Sequence, residues 1–243
     1  MSRNFGGIVL PRLVATALAF GLIAWGLSGL SAVSEGATVR SLAAAIDAGG
    51  QPKLEVLDRI FESGTSDRVA ASCYSPNLDA LATVGATEVA LAIAAADPVR
   101  ADRAYEGTEI AIRKSLQCSP LDGSMWLRLA TLDVLRRGPS PTTAEFVKLS
   151  YLTAPNEGWV VRSRVDLSSR LFDAGFAAIE QELRADIRTL VNFDENRHIA
   201  DMFVAAPETV RAIYREWVAL LPEARRQALR ASLRRRGTTL DGS

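Results

Sequence analysis

Side chains that ligate metals or act as nucleophiles are scarce in this chain: 243 residues hold one histidine, two cysteines and only three lysines. A zinc framework or a disulfide-dense scaffold cannot be built from so few ligands. The 28 basic and 28 acidic side chains cancel. That removes the global positive excess of a nucleic-acid binder, so no nucleic-acid partner is expected. No dinucleotide-binding glycine fingerprint, phosphate-binding loop, nucleophile elbow or paired-histidine zinc motif occurs in the sequence, and the local signatures of the commonest cofactor and hydrolase chemistries are therefore missing. No catalytic residue, cofactor or metal is assigned, and the expectation is a protein that is not an enzyme. Two carboxylates brought together by folding leave no local motif, so an envelope enzyme with a carboxylate site stays as a lesser alternative. His198 follows Asp194 by one helical turn. The pair is either a small catalytic or metal-binding element or, as is usual for a lone histidine beside an acid, a helix-surface contact.

What the chain does have is apolar material, 48% of its residues, and one part of it is continuous. Leu13 to Val33 carries no charge over 21 residues. As a helix this run is about 31 Å long, the thickness of a hydrocarbon core. A secretory signal peptide is the competing reading, with Arg3 and Arg12 as its basic region and Ala32-Val33-Ser34 as a cleavage site; the run exceeds the usual length of a signal's apolar stretch. The basic flank lies on the N-terminal side, which orients the N-terminus to the cytoplasm and the remainder outside. Ala17 and Gly21, four apart, give the span a small-residue face where another helix can approach. Arginine far outnumbers lysine and alanine is abundant, a bias that points to a GC-rich bacterium and an inner membrane.

From Ala37 onward no stretch alternates strictly enough for a strand, while apolar residues recur at helical spacing between regular breakers. The fold class expected is all-α. Helices are expected at Val39–Ala48, Pro52–Glu62, Asn77–Ala96, Pro98–Gln117 with Asp97 as cap, Gly123–Arg137, Thr142–Thr153 with Thr142 and Glu145 as a capping box, Gly158–Phe172, Gly175–Val191, Asp194–Ala205, Pro207–Leu221 and Pro222–Arg236. Short connections make neighbouring helices antiparallel. The chain thus divides into a cytoplasmic tip and transmembrane helix (1–36), a helical stalk with a Gly49-Gly50 hinge (37–69), and a periplasmic helical domain (70–243).

One internal echo appears at an offset of 35 residues: Ser115 to Gly123, with Pro120-Leu-Asp-Gly123, against Ser150 to Gly158, with Pro155-Asn-Glu-Gly158. A period near thirty-four belongs to helix-hairpin repeats. Over roughly Tyr105 to Trp159 the chain resembles a tetratricopeptide repeat. Pro120 matches its terminal proline, Trp126 its large residue early in the first helix, Leu129 and Ala130 its large-small pair, and Ile112 and Phe146 its large apolar position in the second helix. Asp133 and Arg164-Val165 depart from the pattern. The resemblance implies stacked hairpins with a protein-binding surface and no catalytic residues; a generic helical bundle is the alternative.

Cys73 precedes one expected helix and Cys118 ends the next, so an antiparallel pair brings both thiols to one end. Either they form a disulfide, contributing on the order of 4 kcal/mol by closing a loop of about 45 residues, or they are separate buried thiols. Trp126 and Trp159 open successive helices, as groove anchors or as hairpin core. Arg225, Arg226, Arg230, Arg234, Arg235 and Arg236 put six cations on the last helix, either solvated or aimed at an anionic lipid, polymer or acidic partner. Together these features describe a membrane-anchored periplasmic adaptor that binds a protein partner in an envelope complex. The alternative is an accessory subunit held to a larger assembly by its transmembrane helix.

Overall fold

The computed structural model describes residues 6–62 and 64–240. It is all-α, with no strand among the described residues. The chain divides into two compact units, Met1–Lys114 and Ser115–Ser243. Arg3 lies outside the described residues, and of Arg12 only the helical backbone is described.

The first unit contains α1 (Gly6–Glu35), α2 (Ala37–Asp47), α3 (Leu54–Glu62), α4 (Thr65–Ala71), α5 (Ser75–Ala94) and most of α6 (Pro98–Cys118). Residues 37–69 are not a free stalk. Val39, Ala43, Leu57, Ile60 and Val69 are buried in one cluster with Ala80, Leu81 and Val84 of α5 and Ala111 of α6, because each short amphipathic helix has an apolar stripe that must be covered. Within this segment α4 begins at Thr65, entered through Gly64 in a left-handed conformation, φ 69°. Among the described residues α5 is the helix long and apolar enough to cross a membrane by length and composition, and most of it is buried, as in a core helix. The described apolar stretch of α1, Val14–Leu27, is shorter, and its residues are all exposed.

The junction between α1 and α2 is closely fitted. A Cβ on Gly36 would collide with the side chain of Asn77, which is fully buried at the start of α5. Arg40 donates to Asn77 Oδ1 and, at 2.8 Å, to the Val33 carbonyl, and its guanidinium lies 5.7 Å from the centre of the Tyr74 ring. One arginine thereby satisfies a carbonyl in the last turn of α1 and a buried amide in α5.

The second unit contains α7 (Gly123–Arg137), α8 (Pro141–Thr153), α9 (Gly158–Asp173), a 3₁₀ turn (Ala177–Ile179), α10 (Glu180–Phe193), α11 (Asn196–Ala205), α12 (Glu208–Ala219) and α13 (Glu223–Arg234). Helix α8 returns along α7, and α9 packs on both. Two apolar cores follow. One joins Leu127, Ala130, Val147, Val160, Leu167 and Leu171; the other joins Val161, Leu183, Ile187, Phe203, Ile213, Leu229 and Leu233. Neighbouring residues Val160 and Val161 face different cores, so α9 is the element shared by both.

Local chemistry corrects two expectations. The cap of α8 is Ser140, whose Oγ accepts from the Thr143 N–H at 3.1 Å, and not a Thr142–Glu145 box; Pro141 fills the first helical position, which leaves Ser140 extended as a cap requires. A single helix over Gly175–Val191 is replaced by a turn and α10, with Gly175 at φ 93°. Asp97 does cap α6, accepting from the Arg100 N–H at 3.0 Å.

Among the described residues Arg164 is the largest side chain buried completely, and it lies on α9. Its Nε and Nη2 donate to Asp186 of α10 at 2.6 and 2.8 Å, while Nη1 donates to Ser150 Oγ and the Ala154 carbonyl, each at 3.2 Å. Removing one partner strands the other charge without water. Arg164→Ala is expected to cost about 3–5 kcal/mol in urea unfolding, whereas Arg164→Met with Asp186→Leu should cost far less than the sum of the single changes. A loss below about 1 kcal/mol for the single variant would show that the pair holds nothing together.

Candidate functional site

The two Pro-x-[Asp/Glu]-Gly turns are not equivalent. In the first, Asp122 caps α7, its Oδ1 accepting from the N–H groups of Ser124 and Met125 at 3.1 and 3.2 Å. A Cβ on Gly123 would collide with Ala154, so only glycine lets the start of α7 and the end of α8 meet there. In the second, Glu157 makes no side-chain cap and Gly158 has open space beside it. The sequence echo marks two helix starts, one of them tightly packed.

Trp126 donates from Nε1 to the Pro120 carbonyl at 2.9 Å and stacks on Phe146 with ring centroids 6.0 Å apart. Its ring is committed to the hairpin. Trp159, the equivalent residue of the next helix, is 52% exposed. Ala17 and Gly21 lie on the exposed stretch of α1, and a Cβ on Gly21 would meet nothing within 4 Å.

Asp133 and Arg164, the two departures from the repeat pattern, are both buried. Asp133 accepts from Arg137 Nε at 2.7 Å, from Ser140 Oγ at 3.0 Å and from Thr143 Oγ1, tying the end of α7 to the start of α8. Burial works against its charge, but the hydrogen bonds from Thr143, Arg137 and Ser140 prevail and hold its pKa below the ordinary value of 3.8. Asp186, beside Arg164, goes the other way: burial raises its pKa despite the guanidinium. Sequence reasoning missed Asp186 as the partner of Arg164. The available signal was an arginine at a position flanked by the apolar Val160, Val161, Val165 and Leu167.

A third buried acid was also missed. Glu88 of α5 lies 3.3 Å from Arg100 of α6, which reaches Asp58 of α3 at 2.8 Å. Burial raises the Glu88 pKa, with Arg100 partly offsetting it.

His198 does contact Asp194, Nδ1 to Oδ1 at 3.2 Å, but Asp194 is occupied from several directions. It accepts from Arg162 of α9 at 2.7 Å and from the Glu195 N–H at 2.8 Å, and its carbonyl accepts from Arg225 of α13 at 2.7 Å. Burial opposes its ionisation, yet Arg162, Glu195 and His198 together lower its pKa. The pair belongs to a junction of four helices. Among the described residues no group of three or more His, Cys, Asp or Glu side chains is placed to hold a metal ion.

Of the six arginines expected on the last helix, four lie on α13, Arg235 is its C-terminal cap and Arg236 follows it; their roles divide. Arg225 serves Asp194, Arg226 pairs with Glu223 and donates to the Ala219 carbonyl at 2.8 Å, and Arg236 bonds Asp201 and the Arg197 carbonyl. Arg230, Arg234 and Arg235 remain exposed, with Arg230 4.0 Å from Glu223 and Arg235 3.0 Å from Ser232 Oγ. Leu229 and Leu233 are buried, so α13 is docked rather than frayed. Trp217 packs against the same core, while Leu220 is exposed. Cys73 and Cys118 are both disulfide-bonded, and no cysteine is free.

The lowered carboxyls fix the acid limb of stability. A carboxyl with a folded pKa below its unfolded value stabilises the fold above about pH 4 and loses that contribution as the pH falls through the folded value. The contribution of Asp133 and Asp194 should therefore be lost as the pH falls below about 4, and Asp133→Asn or Asp194→Asn should flatten the acid-side drop in urea midpoint while lowering stability at pH 7. Unchanged pH profiles in both variants would contradict the assignment. No protein-family model, no curated protein and no solved structure matches this chain.

Proposed function

We propose that the protein is a single-pass adaptor of a bacterial inner membrane. Helix α1 spans the bilayer with its N-terminus in the cytoplasm, and the helical body in the periplasm holds a protein partner of an envelope complex, such as one assembling polysaccharide or cell wall. The observation that carries this reading is the exposure of α1. Every residue from Val14 to Leu27 is exposed and none is charged, although the set includes Leu18, Phe20, Leu22, Ile23 and Trp25. Water penalises such a surface all round a helix, whereas hydrocarbon does not. With its flanks, the uncharged run is long enough to cross.

The disulfide-bonded state of Cys73 and Cys118 supports an oxidising compartment. The packing of α7, α8 and α9 supports a repeat-like array, since successive hairpins stack to bury apolar faces that none can bury alone. Exposed Arg230, Arg234 and Arg235 on a docked helix offer cations to an acidic partner.

Three measurements test the reading. Tagged full-length protein purified in mild detergent should retain its partner, and so should a chain lacking residues 1–33. Loss of the partner on that deletion supports instead the subunit held through its transmembrane helix. Protease added to spheroplasts should digest the body; protection of a membrane-inserted chain would reverse the topology. Denatured without reductant, the protein should show no reactive thiol, and two reactive thiols would place the body in a reducing compartment.

A further inference from the structure

Helix α3, nine residues long, lies across α5 and α6 of the first unit. Its Leu57 and Ile60 enter the cluster formed with Ala80, Leu81 and Val84 of α5 and Ala111 of α6, and a Cβ on Gly107 of α6 would meet its Phe61 ring at 3.5 Å. Helices α5 and α6 are closely fitted to each other, since a Cβ on Gly85 would collide with Thr108. Left-handed glycines stand before and after α3, Gly49 at φ 86° and Gly64 at φ 69°, so the chain can turn at both of its ends. One charged cluster ties the three helices together. Arg100 Nη2 of α6 is 2.8 Å from Asp58 of α3 and 3.3 Å from Glu88 of α5. Glu88 is 4% exposed, and among the described residues its Oε2 is buried with no hydrogen-bond partner. Arg103 of α6 also acts on Glu88, from an exposed position, while Asp97 is engaged as the cap of α6. On the other helices packed against α5, Arg40 of α2 serves Asn77, and Asp47 of α2 with Asp67 and Arg68 of α4 are exposed.

We infer that α3 is a pH-operated strap, which seats on α5 and α6 while the Glu88 carboxyl holds its proton and lifts when that carboxyl ionises. The device is internal to the first unit and does not depend on the adaptor reading. With Glu88 protonated, Arg100 and Asp58 form a neutral pair that joins α3 to α6. With Glu88 ionised, two carboxylates share one guanidinium nitrogen, and the cluster carries a net negative charge that Glu88 cannot show to water. Lifting α3 takes Asp58 away from Glu88 and lets water reach the carboxylate. Burial raises the Glu88 pKa, Arg100 partly offsets this and Asp58 adds to it. A carboxyl raised in the seated state stabilises that state at low pH, and the contribution is lost as the pH rises through the raised value. The element that yields is α3, because it is short, is held by the two buried side chains Leu57 and Ile60, and lies between turning points.

The test is hydrogen–deuterium exchange of the full chain, with Cys73 and Cys118 left in disulfide linkage, in mild detergent between about pH 5 and about pH 8 and corrected for intrinsic amide rates. The expected result is a loss of protection of more than about threefold in residues 58–62 as the pH rises, with residues 80–84 of α5 unchanged. Glu88→Gln, which keeps the shape of the protonated carboxyl, should hold α3 protected across the range. In the parent, the Glu88 carboxyl carbon followed by ¹³C NMR should titrate at the pH where the protection of α3 is lost. Equal protection of α3 at all pH values overturns the strap, and so does an equal loss in the parent and in Glu88→Gln. Loss in α3 and α5 together means that the whole unit opens, which also overturns it. Should Glu88→Gln fail to fold, the two midpoints in the parent decide: protection lost away from the Glu88 titration assigns the change to another group and overturns the strap.

Discussion

The second unit depends on one guanidinium. Arg164 has no contact with water, and its bonding capacity must be met by Ser150 of α8, the Ala154 carbonyl just after α8, and Asp186 of α10. A charge so placed is strongly unfavourable unless its partners keep their positions, because the interior supplies no replacement donors or acceptors. That demand fixes the distance and rotation between α9 and α10, and it holds the end of α8 through the Ala154 carbonyl. The apolar side chains of the two cores supply most of the driving force, but they would tolerate a slip along the helix axes that a bidentate ion pair does not.

Asp133 plays a similar part at the other end of α8, where a single carboxylate gathers Arg137, Ser140 and Thr143. The α7–α8 hairpin is thus fixed by glycine contact at one end and by buried charge at the other. In both places the residue that departs from the tetratricopeptide pattern is the one that binds its neighbours by hydrogen bonds. A hairpin array held by charges has stricter geometry than one held by alkyl packing.

The first unit shows the same economy at the base of α1. Gly36, Asn77 and Arg40 form a close-fitting joint, where absence of a Cβ makes room for a buried amide and one arginine closes the hydrogen bonds. A helix with an apolar surface that water disfavours is therefore joined to its body by a rigid corner instead of a flexible stalk. Cations follow a comparable division in α13, where Arg225, Arg226 and Arg236 are consumed inside the unit and the rest stay outward.

Periodicity and punctuation determined the helical class, most helix positions and the uncharged run of α1, because these depend on neighbours within a few residues along the chain. Asp97 and Pro98 marked the start of α6 for that reason, and the lone His198 beside Asp194 was visible as a pair. Only the tertiary structure decided what the pair is for, since Arg162 and Arg225 arrive from about thirty residues away on either side. The same holds for residues 37–69, which read as a stalk until α5 supplied the face that buries them. Arg164 and Asp186 are separated by 22 residues, and no local rule pairs an arginine on one amphipathic helix with an aspartate on the next. A charge in an apolar stripe signals that something must answer it; which residue answers is set by the packing of helices, and that is a property of the folded chain.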